Sequence, residues 1–91
     1  MIYLDFNILK DKKRKEAFLA LNISSEIVLL SDDKINAADG YRAGISGLII
    51  DIIPNSAHCI EKHLKQNLCP GYMIFSDCDM PDWMTSHRKN I

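Results

Sequence analysis

The sequence predicts one small α+β domain, spanning 1–91, with its elements in the order β-α-β-β-α-β, as in a ferredoxin-like fold. Three observations carry this. Ninety-one residues are one domain's worth of chain. A hydrophobic fraction of 47% with 25% charged residues is globular rather than disordered. Four short apolar stretches, 2–8, 26–30, 48–53 and 72–75, alternate with two of helical character, 11–21 and 56–67. The alternative is a small doubly wound α/β fold with a mostly parallel sheet.

Each element has its own warrant. In 2–8, Ile2, Leu4, Phe6 and Ile8 alternate with Tyr3, Asp5 and Asn7, the period of a strand with one buried face. The stretch 11–21 is rich in helix formers, places Ala17, Phe18 and Leu21 on one face, and offers Asp11 as a cap. "EIVLL" at 26–30 is a continuous apolar run, as in a strand buried on both sides. From 32 to 47, Gly40, Gly44 and Gly47 favour a long loop with a single helical turn near Ile35–Ala38. "LIIDII" at 48–53 is β-branched and stops at Pro54. Asn55 or Ser56 caps the helix that follows, with Ala57, Ile60, Leu64 and Leu68 as its inner stripe. "YMIF" at 72–75 is the last strand, and the aperiodic tail 79–91 is expected to be loosely ordered.

The net charge of −1 draws the chain to neither membrane nor nucleic acid in bulk. The N-terminus lacks the pattern of a signal peptide, and no apolar run approaches the ~20 residues of a membrane span. Three cysteines at irregular spacing, Cys59, Cys69 and Cys78, form neither a disulfide framework nor a familiar zinc pattern. A cytoplasmic protein with reduced thiols is expected. Without a metal, two of the cysteines are read as buried apolar groups and His63 as a helix-surface residue. The basic run "KDKKRK" at 10–15 has no interleaved aromatic and reads as a solvated helix start.

Two constellations could carry function. Acids surround aromatics at Asp32, Asp33, Asp39, Tyr41 and Arg42, and again at Asp77, Asp79, Asp82 and Trp83. Such a surface suits a protein-binding module, an inhibitor such as an immunity protein or antitoxin that blocks a basic, nuclease-like toxin. On that reading the partner is a protein with a basic surface, with no cofactor, no metal and no catalytic residue. The second constellation is a set of strand-end aspartates, Asp5, Asp32, Asp77 and Asp79. In a parallel sheet such groups can converge at one edge and hold a hard divalent cation for phosphodiester hydrolysis. "MIYLDFNIL" at 1–9 resembles the opening strand of PIN-domain ribonucleases, which read approximately "IYLDTNIL". The resemblance covers these residues alone and implies a metal-binding role for Asp5. Phe6 stands where that family prefers a small hydroxylated residue.

Overall fold

The computed structural model describes residues 1–31, 33–76 and, for the backbone, 88–89. The chain runs β1 (Ile2–Asp5), α1 (Phe6–Lys10), α2 (Lys12–Ala20), β2 (Ile27–Leu30), α3 (Lys34–Arg42), β3 (Leu48–Ile53), α4 (Ala57–Asn67), β4 (Met73–Phe75) and β5 (Arg88–Lys89). The sheet order is β3-β2-β1-β4-β5, and every described pairing is parallel. The antiparallel sheet of a ferredoxin-like fold is therefore not what this chain forms. The small αβ domain instead carries helices on both faces of its sheet. Phe6, Ile8, Phe18 and Ala37, from α1, α2 and α3, pack with Ile2, Leu4, Ile27 and Leu29 on one face. On the other, Ile60 of α4 packs with Tyr3, Val28, Leu30 and Ile74.

The sheet's burial explains why the first strand misleads. Tyr3 and Asp5 are as buried as Ile2 and Leu4, because β1 lies in mid-sheet with helices above and below. The alternation that suggested one wet face belongs to a strand with none, and it ends at Asp5. There the carboxylate accepts the backbone N–H of Asn7 at 3.0 Å and caps α1, so residues 6–8 are helical rather than extended. Asp11 repeats the device one turn on, accepting from Lys13 and Arg14 at 2.9 and 3.3 Å to start α2.

The expected loop over 32–47 is largely helix α3. Gly40 is inside it because a Cβ there would lie 2.9 Å from a Leu48 methyl and 3.3 Å from one of Leu29. The glycine allows close approach of helix to sheet and is not a breaker. Gly44 and Gly47, at φ +79° and +75°, supply the turn into β3. In α4 the cap is Ser56, which accepts from the N–H of Cys59. Leu68 leaves the predicted stripe: it is the left-handed C-cap at φ 49° and is 86% exposed. Among the described residues, no helix is long and apolar enough to cross a membrane. The tail 79–91 lies outside the described residues apart from the backbone of 88–89.

Candidate functional site

The topology selects the place. From β1 the chain moves outward through β2 to β3, then crosses back through α4 to β4 on the other side of β1. The carboxyl ends of β1 and β4 thus form a switch point, where connections diverge and leave a crevice. Asp5 ends β1 at that point and is 2% exposed. Ser76 follows β4 and is fully buried. Asn55, just past β3, donates through its Nδ2 to Asp5 Oδ2 at 2.8 Å and to Ser76 Oγ at 3.0 Å. The Ser76 hydroxyl also donates to Asp5 Oδ2, at 3.3 Å. Three strand ends are thereby tied together around one buried carboxylate.

A crevice of about 480 Å³ opens over this cluster, lined among others by Asp5, Asn7, Lys10, Ser31, Asn36 and Asn55. In a parallel sheet every following helix begins at this edge. Asn7 lies in the first turn of α1, Asn36 in that of α3, and Ser56 caps α4. Helix N-termini present unpaired N–H groups and partial positive charge, which favour an anion. Lys10 adds a full charge at the rim and sits 5.2 Å from the centre of the Phe6 ring. The neighbouring hollow, of about 310 Å³, shares Phe6 and Lys10 with the crevice and adds Lys15 and the ion-paired Asp39 and Arg42. Part of the run read as a solvated helix start therefore flanks the candidate site.

A second polar cluster lies lower on the same strand. Tyr3 is fully buried, and its hydroxyl meets His63 Nδ1 at 2.6 Å. His63 Nε2 meets Asp51 Oδ2 at 2.8 Å. Burial above all, then the negative potential of Cys69, Asp51 and Tyr72, holds the Tyr3 phenol well above the ordinary range, so it keeps its proton. A protonated phenol can donate to Nδ1, an arrangement that places the imidazole hydrogen on Nε2, facing Asp51. Burial raises the Tyr72 phenol as well, and its ring stands edge-on to Tyr3. His63 is not the surface residue expected: its side chain is 13% exposed. Cys59 and Cys69 are half-buried free thiols.

The residues chosen from sequence distribute unevenly. Asp33 is exposed just before α3, its N–H and carbonyl both engaged by the Ser31 hydroxyl. Asp39 pairs with Arg42 at 2.8 Å, which neutralises one of the acids assigned to an acidic rim. Tyr41 is 56% exposed. Asp32, Asp77, Asp79, Asp82 and Trp83 lie outside the described residues. Of the acids proposed to converge on an ion, Asp5 alone is described at the crevice. Among the described residues no group of three His, Cys, Asp or Glu is placed to hold a metal ion. The surrounding donors are hard oxygens, the kind that magnesium and manganese accept, and such ions commonly take one or two carboxylates and complete their shell with water. Asn7, Ser31, Asn36, Asn55 and Ser76 were not anticipated, since uncharged side chains carry no sequence signal without a known strand order. No protein-family model, curated protein or solved structure matches the chain.

Proposed function

We propose that the crevice at the carboxyl edge binds a phosphate ester together with a divalent cation, and that the chain is a metal-dependent phosphodiesterase acting on nucleic acid. One observation carries the reading. The crevice combines features that attract an anion, namely the starts of α3 and α4 and Lys10, with a buried carboxylate on its floor. A phosphate and a carboxylate repel each other at that range unless a cation lies between them. Magnesium or manganese bound by Asp5 resolves the conflict, and it would polarise the phosphoryl oxygen and supply a water of lowered pKa.

The chain's own groups have distinct duties. Asp5 is the cation ligand, oriented by Asn7, Asn55 and Ser76. Lys10 and the helix N-termini draw in the phosphate. Lys15, on the neighbouring hollow, extends the positive potential beyond Lys10. Asp77 and Asp79 are proposed as further ligands, because Asp77 directly follows Ser76, whose hydroxyl touches Asp5.

Cleavage of a fluorogenic single-stranded oligonucleotide with manganese tests the proposal. Asp5→Asn retains the size and capping ability of the side chain and is expected to lower turnover by about a hundredfold or more, the scale of losing an electrostatic stabiliser. Equal turnover in both proteins would refute the assignment. A second reading, the protein-binding inhibitor, draws on the exposed Tyr41 beside Arg42. It expects Tyr41→Ala to abolish capture of a basic nuclease while Asp5→Asn leaves capture intact.

A further inference from the structure

Helix α4 has a narrow apolar seat. Ile60 is its buried side chain, with Ala57, Cys59 and Leu64 partly buried beside it. One deeply seated residue resists lifting of a helix better than it resists sliding or rotation about the seat. Polar contacts stand on either side of it. Asn55, ahead of the cap, reaches Asp5 on β1. His63, almost one turn beyond Ile60, reaches Tyr3 on β1 and Asp51 on β3. Tyr3 and Asp5 are on one face of β1, about 7 Å apart at the rise of a strand. Asn55 and Asp51 both belong to the path of β3 into α4. The contacts therefore close a loop through β1, α4 and β3, with the crevice carboxylate at one corner.

We infer that the Asp51–His63–Tyr3 chain is a positioning device: it fixes the rotation of α4 so that Asn55 stays on Asp5, and so sets the geometry of the crevice floor. The inference rests on the crevice being the functional site. His63, Tyr3 and Asp51 are positioning residues and touch no ligand. The tautomer of His63 is the working part. With Nδ1 occupied by the phenol hydrogen and Nε2–H given to Asp51, the ring cannot turn over without breaking both bonds. Loss of either partner frees the ring, and the restraint on α4 goes with it.

The test uses the full chain with no metal and no phosphate ester present. In nitrogen-15 NMR the imidazole nitrogens report the tautomer, and the Asn55 side-chain amide protons report the bond to Asp5 through their exchange with water. Asp51→Ala lies on an edge strand with its side chain 53% exposed, so the domain is expected to fold. It should give mixed tautomers and Asn55 amide exchange about fivefold faster, the factor one net hydrogen bond is worth. Asp51→Asn, whose carbonyl oxygen can accept the same N–H, should restore both signals. A structural role without coupling to the crevice would shift the His63 signals alone. Unchanged Asn55 exchange in both Asp51→Ala and Tyr3→Phe overturns the inference; if Tyr3→Phe does not fold, Asp51→Ala decides. Because nothing is bound or cleaved, a failed oligonucleotide assay and a failed exchange result are separate outcomes.

Discussion

Two polar side chains on one central strand, Tyr3 and Asp5, meet opposite fates. Both are buried, both bond to residues in or just before α4, and they are two positions apart. Tyr3 is closed in. Its hydroxyl has one acceptor, its ring is stacked edge-on between His63 and Tyr72, and its chemistry is spent on holding elements together. Asp5 lies at the strand's end, on the floor of a crevice surrounded by helix starts. The difference shows what a parallel sheet does to buried polarity. In mid-strand it becomes a structural bond, while at the carboxyl edge the same burial leaves one side open to a ligand.

The comparison can be broken by mutation. The largest effect is expected for Asp5→Ala, which removes the cap of α1 and the acceptor for Asn55 and Ser76. Urea unfolding should show a loss of about 3 kcal/mol, against about 2 kcal/mol for Asp5→Asn, whose single oxygen can keep the cap on Asn7 but whose NH2 then meets the donors of Asn55 and Ser76. A loss for Asp5→Ala no larger than that for Tyr3→Phe would mean that the two positions are not different in kind. Tyr3→Phe keeps the ring packing and leaves Nδ1 of a mostly buried histidine without its donor, at a cost of about 1 kcal/mol. Cleavage activity should fall by about fivefold in Tyr3→Phe, through the loosened Asn55–Asp5 bond, and be lost in Asp5→Asn.

Alkaline pH separates the two sites further. The folded state raises the Tyr3 and Tyr72 phenols above their ordinary range. Above about pH 10 the unfolded chain therefore loses protons that the folded chain keeps. Stability from these groups is fully present below that pH and falls as pH rises beyond it. Denaturant midpoints between pH 9 and 11 should decline in the wild type and decline less in Tyr3→Phe; parallel curves would contradict this. The smallest expected change is for Asp51→Asn, within about 0.5 kcal/mol, because that carboxylate is half exposed and solvent screens its charge.

The legible and illegible parts of the chain differ for physical reasons. Strands over 26–30, 48–53 and 72–75 show plainly as continuous β-branched or apolar runs; the run over 27–30 is buried throughout, whereas β3, at the sheet edge, leaves Ile49 and Ile50 exposed. Asp11 and Ser56 are readable as caps because capping is local. The sheet's direction was not readable: an alternating first strand suggested a wet face, whereas the alternation spans a strand and the helix that Asp5 starts. Gly40 looked like a breaker because a close approach to Leu29 and Leu48 leaves no mark near it in sequence. Asp5 could be singled out through the resemblance of residues 1–9. Its partners Asn55 and Ser76 could not, being 50 and 71 positions away and joined to it only by strand order. The Tyr3–His63–Asp51 chain was hidden likewise, with 60 positions between phenol and imidazole.

The most direct measurement is a manganese titration followed by electron paramagnetic resonance of the free ion, run on the wild type and Asp5→Asn, both confirmed folded. The account predicts one saturable site in the wild type, lost in Asp5→Asn and retained in Tyr3→Phe. Equal binding by wild type and Asp5→Asn, or no saturable binding by the wild type, would contradict it.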